Sequence, residues 1–150
     1  MCGLIGYTGN KNSKLNRKFI KLIMRANDKR GGHSTGYYDG EFFTKVVGKS
    51  PLLTGEMNKR NYVEVGVEFN QEETTVDSQM IFKCLNHLQD SKEKHNILGM
   101  FSGTLATIYT DNKTGLVYTY RNGNPLFVGR DKHGSAYFSS LKEPLTQCGL

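Results

Sequence analysis

The spacing of apolar and polar positions changes along the chain, and the changes mark its elements. From Leu15 the apolar residues Leu15, Phe19, Leu22, Ile23 and Ala26 recur at i, i+4, i+7, i+8 and i+11, which lines them along one face of a helix. Ser13 is placed to cap its start and Gly31 to stop it. A second such face, Met80, Ile81, Cys84, Leu85 and Leu88, predicts a helix over Asp77 to Leu88, capped by Thr75 or Asp77 and ending before Lys92. Leu4, Ile5 and Tyr7, set among glycines, read as a short buried strand entered directly from the N-terminus. Ser34 to Tyr38 and Phe42 to Val47 flank Asp39-Gly40. That dipeptide accepts the positive φ angles of a tight primed turn, so the two runs form a hairpin. Tyr62 to Val67 alternates as a strand does, and the last third is a meander of short strands: Gly103 to Thr110, Gly115 to Tyr120, Leu126 to Gly129 and Ala136 to Ser140. Asp111 to Gly115, Asn122 to Pro125 and Asp131 to Gly134 supply the reversals between them.

These elements make an α+β fold, antiparallel strands covered by two main helices. At 150 residues, with 37% hydrophobic positions, 17 Gly and 3 Pro, the chain has the size of one domain spanning residues 1 to 150 and the composition of a folded, turn-rich one. No apolar run approaches the roughly 20 residues that cross a bilayer, and Met1 to Asn10 lacks the basic and apolar regions of a leader. A cytoplasmic protein with no membrane partner is expected. Cys2, Cys84 and Cys148 are an odd, widely spaced set, unlike a disulfide scaffold.

The net charge of +6 is concentrated in residues 1 to 30, where eight basic residues face only Asp28, so the remainder is slightly acidic. Lys14, Lys18, Lys21 and Arg25 form one charged stripe on the first helix. Without interleaved aromatics this reads as a solvated face in preference to a nucleic-acid surface. Gly48-Lys49-Ser50 imitates the end of a phosphate loop, but Phe43 stands where the earlier glycine is required and Pro51 blocks the following helix. Cys84, His87 and His95 fall short of a zinc set, because Cys84 lies on the apolar face and a fourth ligand is missing. Neither a metal nor a cofactor is expected.

The start of the chain carries the strongest chemical signal. In Met1-Cys2-Gly3-Leu4-Ile5-Gly6-Tyr7 the small second residue permits removal of Met1. That leaves a cysteine with its own α-amine, a thiol of pKa about 8.5 beside an amine of about 7.7 to 8.0, nucleophile and base in one residue. This opening resembles that of the class II glutamine amidotransferases, which are N-terminal-nucleophile hydrolases. The resemblance continues in order through Arg30-Gly31-Gly32-His33-Ser34-Thr35-Gly36, Thr75-Val76-Asp77-Ser78 and Gly103 to Ser140, with Arg121 to Leu126 and Phe138-Ser139-Ser140. It implies an αββα sandwich of antiparallel sheets and a glutaminase reaction. Cys2 would attack the carboxamide of glutamine, its amine would shuttle the proton, Asp77 would bind the substrate ammonium and Arg30 would brace the loop beside the nucleophile. Ammonia would pass to a separate acceptor enzyme.

The same resemblance exposes a gap. The family carries a His-Thr-Arg segment for the substrate carboxylate and an Asn-Gly segment for the oxyanion between the hairpin and the Asp77 helix. Gly55 to Thr75 is only 21 residues, too short for two more strands and their loops. Arg60, Asn61 and Asn70 are the residues of suitable chemistry there, in no family spacing. Weak or absent activity is the expectation. The partner of an active domain is glutamine; the alternatives are a catalytically silent binding or inhibitory module on the same fold, with a regulatory protein as its partner, and nucleic-acid binding through the basic helix.

Overall fold

A computed structural model describes residues 3–9, 14–30, 34–38, 43–47, 85, 88, 91–111 and 114–150. Among the described residues the elements run in the order β1 (Ile5–Thr8), α1 (Lys14–Asn27), β2 (Ser34–Tyr38), β3 (Phe43–Val47), α2 (Ser91–Met100), β4 (Leu105–Thr110), β5 (Val117–Asn122), β6 (Phe127–Arg130), β7 (Ala136–Ser139) and α3 (Glu143–Gln147). The class is α+β, and every strand pair among the described residues is antiparallel. No helix among the described residues is long and apolar enough to cross a membrane.

The strands sort into three sheets, β1-β7-β6, β2-β3 and β4-β5. The closing strands are therefore split, contrary to the single meander expected from the sequence. The division falls at Asn122 to Pro125, where Gly123 has a φ of 76° and the Asn124 N–H donates to the Asn122 carbonyl at 2.9 Å. This reversal sends the chain into another sheet. β7 then takes the central position, with Tyr7 facing Tyr137 across one border and Gly129 facing Tyr137 across the other.

The β2-β3 hairpin forms as predicted, and Asp39-Gly40 lies outside the described residues. Its register sets Ser34 against Val47 and Tyr38 against Phe43. The predicted strand over Tyr62 to Val67 lies outside the described residues, as does most of the Asp77 to Leu88 helix. Of that helix, Leu85 is helical and buried, and Leu88 is not helical.

Two helices lie where the sequence reading assigned none. In α2, Leu98 is the buried anchor at 1% exposure and Ile97 is half-buried, too few apolar positions to register as a periodic face. α3 is five residues long, opened by Glu143 and Pro144 and sealed by the buried side chains of Pro144 and Leu145. Proline at a first turn costs no hydrogen bond because that N–H has no helical partner.

Packing is organised around two clusters. Tyr7, Ile20, Ile23, Met24, Tyr137 and Leu145 join β1, α1, β7 and α3. Leu85, Leu98 and Tyr109 form the other, backed by Leu105, Tyr118 and Tyr120, with Tyr109 and Tyr118 stacked at 5.3 Å. Alternation along the strands relates the two. Ile5 and Tyr7 face α1, so Gly6 faces the other way, and there a Cβ on Gly6 would stand 2.9 Å from Cδ1 of Ile108 in β4. Glycine at position 6 thus admits Ile108 against β1.

The buried stripe of α1 is rotated from the predicted one. Asn16, Ile20, Ile23, Met24 and Asn27 are buried, while Phe19, Leu22 and Ala26 are half-buried. Two asparagines occupy positions that hydropathy alone assigns to solvent. Both do so through hydrogen bonds, which removes most of the cost of burying an amide.

Candidate functional site

The start of β1 is held by the far end of the chain. The Leu4 N–H donates to Ser140 Oγ at 2.9 Å, and the Ser140 N–H donates to the Leu4 carbonyl at 2.9 Å. These bonds extend the ladder one step beyond the Ile5–Ser139 pair. Ser139 Oγ accepts the Leu141 N–H at 3.0 Å and the Asn27 Nδ2 at 2.9 Å. Residues from three parts of the sequence therefore meet around Gly3 and Leu4.

Asn27, the last residue of α1, lies at the centre of this meeting. Its Nδ2 also donates to the Ile23 carbonyl at 2.9 Å. Because a carbonyl only accepts, that contact fixes which end of the amide is nitrogen. Oδ1 is thereby turned to the chain start, and a Cβ built on Gly3 would stand 3.2 Å from Oδ1 and 2.7 Å from the Asn27 carbonyl oxygen. Only a glycine lets the strand approach this closely. The same carbonyl receives the Arg30 N–H at 2.9 Å. Arg30, half-buried in the turn that closes α1, is thus tied to the residue that touches Gly3.

Of the residues selected from the sequence, Arg30 is described, and Cys2 and Asp77 lie outside the described residues, as do Arg60, Asn61 and Asn70. Among the basic positions of α1, Lys18 and Arg25 are exposed and Lys21 is half-buried. Cys84 and His87 are also outside the described residues, and His95 packs its ring edge-on to Tyr120 at 5.3 Å. Cys148 is half-buried. Burial pushes its thiol up, against the opposing influence of Lys18, so at neutral pH it is the weaker form of nucleophile.

A second polar group lies behind the first, under β1 and β7. Asn16 Nδ2 donates to the Tyr7 hydroxyl, and the Tyr137 hydroxyl reaches Asn16 Oδ1 at 2.6 Å and Asp131 Oδ2 at 3.3 Å. Tyr137 is fully buried at 0% exposure. Burial, then the Asp131 charge, holds its hydroxyl far above the ordinary tyrosine value of 10.0, and burial likewise raises Tyr7. Asp131 is lowered. Burial works against its charge, and the N–H groups of His133 and Ser135 outweigh that by donating to its carboxylate, at 2.8 and 3.0 Å. These are structural roles: the carboxylate ties the reversal before β7, and the tyrosines tie β1 and β7 to α1.

Sequence reasoning missed Asn16 and Asn27, although a signal was present. Both fall at helical spacing from Ile20 and Ile23, and an amide on such a stripe announces a buried hydrogen-bond partner.

Compared with protein-family models, curated proteins and solved structures, the chain has no match.

Proposed function

We propose that the chain is a glutamine amidotransferase-like domain in which Cys2, freed by removal of Met1, is an N-terminal nucleophile toward glutamine, with turnover reduced by a missing internal segment. The observation that carries this reading is the meeting around Leu4. Two of the four segments that resemble the family, the chain start and Ser139-Ser140, are joined there by the Leu4–Ser140 hydrogen bonds, and Asn27, which bonds Ser139, ties in Arg30 at the head of a third. Those segments are up to 136 positions apart, and their meeting was no part of the pattern that selected them.

The order of packing supports the finer fold. α1 and α3 cover one face of the sheet holding β1 and β7, Ile108 of β4 meets its other face at Gly6, and Leu98 of α2 lies beyond β4 with Tyr109. Helix, sheet, sheet and helix follow in the sequence of an αββα sandwich.

In the proposed reaction the Cys2 thiolate adds to the carboxamide carbon, the amine delivers a proton to the leaving nitrogen, ammonia departs, and water hydrolyses the thioester. Asp77 binds the substrate ammonium and Arg30 braces the adjoining turn through Asn27. An oxyanion donor is worth about a hundred to a thousandfold in rate, so a site lacking both the oxyanion and the carboxylate segments turns over near background. The shortened interval from Gly55 to Thr75 favours one second reading, a catalytically silent module of the same fold that binds a protein partner.

The test is ammonia release from glutamine by the chain after intact mass has established loss of Met1, with Cys2→Ala as reference. Slow, Cys2-dependent release supports a residual glutaminase. Release equal in both chains favours the silent module, and retention of Met1 excludes the amine as base.

A further inference from the structure

The outer face of α1 carries charge of one sign. From Lys14 to Arg30 there are seven basic residues and one acid, Asp28. Lys18, Arg25 and Lys29 are exposed, and no ion pair among the described residues engages them. At i, i+7 and i+11 they fall along one line of about 16 Å that continues from the helix into its closing turn. The line cannot rotate away, because Ile20, Ile23 and Met24 hold the opposite face in the core with Tyr137. A solvated helix face usually mixes signs, since like charges three or four places apart repel. Here Lys18 and Lys21, Lys21 and Arg25, and Arg25 and Lys29 are all such pairs. An anionic partner replaces those repulsions with attraction.

A second feature of the same face narrows the chemistry of that partner. Phe19, Leu22 and Ala26 are half-buried, and each follows a cation of the stripe in sequence, so they form an apolar ledge along its edge. Phe19 is fixed there by its edge-on contact with Tyr137 at 5.7 Å. A phosphate backbone would meet the cations and leave the ledge unused. Protein interfaces join an apolar centre to a charged border in which arginine is common. We propose that this face of α1 docks an acidic amphipathic helix of a separate protein, with its carboxylates over Lys18, Arg25 and Lys29 and its aliphatic side chains on the ledge of Phe19, Leu22 and Ala26. The surface is independent of the glutamine chemistry, and it serves a domain that passes ammonia to an acceptor enzyme as well as a silent module.

The test uses the full chain and a labelled synthetic helical peptide with Glu at i, i+7 and i+11 and leucines on the neighbouring edge. Fluorescence anisotropy at physiological salt is expected to show binding. The double variant Lys18→Glu with Arg25→Glu should lose about tenfold in affinity, and a peptide with Lys in place of Glu should restore it. Both changes are at exposed positions, and thermal melts check the fold. Leu22→Gln should weaken the peptide about threefold and leave any oligonucleotide binding unchanged. Polyglutamate and a single-stranded oligonucleotide, run at the same salt, are the comparisons. Absence of peptide binding, binding unmoved by the charge reversal, or polyglutamate binding as tightly as the peptide would each overturn the proposal. An oligonucleotide that binds more tightly than the peptide also overturns it and assigns the face to nucleic acid. Ammonia release and peptide binding are read separately, so failure of either leaves the other interpretable.

Discussion

Tyr137 shows how much a single side chain can hold in this molecule. Its ring packs on Tyr7 and Phe19 at 5.0 and 5.7 Å while its hydroxyl serves Asn16 and Asp131. Tyr137→Phe keeps the ring and removes the hydroxyl's bonds to Asn16 and Asp131 in a buried setting, so a loss of about 1–3 kcal/mol is expected in urea or thermal unfolding. The pH response follows from the same burial. Tyr7 and Tyr137 are held neutral in the fold, above the 10.0 they have when unfolded. Their contribution is thus fully present below pH 10 and is lost as pH rises beyond it toward the raised values. Melting temperature against pH checks this: the alkaline fall begins near 10 and becomes shallower in Tyr137→Phe. Leu15, Phe19 and Ile23 made α1 evident from hydropathy, but Asn16 and Asn27 did not stand out. A hydropathy pattern scores an amide as exposed unless its partner is known, and those partners, Tyr137 and Ser139, are more than 100 positions away.

At the scale of elements, close approach is as consequential as apolar area. β1 meets the end of α1 through Gly3, and Gly3→Ala would drive a methyl group to 2.7 Å from a backbone oxygen that cannot swing aside. The expected cost is about 1–3 kcal/mol of stability, as for other over-packed sites, together with weaker protection of the Leu4 amide in hydrogen exchange. α2 depends on one anchor. Leu98→Ala removes the side chain that sits with Leu85 and Tyr109 and should cost about 2–5 kcal/mol by denaturant unfolding. That dependence also explains why α2 was illegible in the sequence: one buried leucine and a half-buried Ile97 do not make a period. The strands of the last third were legible because each is bounded by strong turn chemistry, such as Asp131 receiving two backbone N–H groups. Their division between two sheets was not, since turn residues specify a reversal and leave open which neighbour the next strand joins.

For the whole molecule, charge and topology point to different behaviours. The basic stripe of α1 is open to solvent at Lys18 and Arg25, and a few such contacts give binding that falls steeply with salt. Fluorescence titration with a DNA or RNA oligomer should find weak association at low ionic strength that disappears near physiological salt. Tight binding persisting there would move the function from the site at Gly3 to this face. The topology bears on how the chain start is processed. β1 has one partner strand among the described residues, β7, and the bond from Leu4 to Ser140 joins positions 136 residues apart. A ribosome adding about 5–20 residues each second needs roughly ten seconds to cover that span. Throughout this time the first strand lacks the strand it pairs with, although α1 is already there to cover its Tyr7 face. If Cys2 is to be freed, the aminopeptidase therefore has nearly the whole of translation in which to act before β1 gains its partner strand. A transcript cut short before Ala136 would yield a product in which the first strand keeps its face on α1 and never gains the ladder that ties it to the far end of the chain.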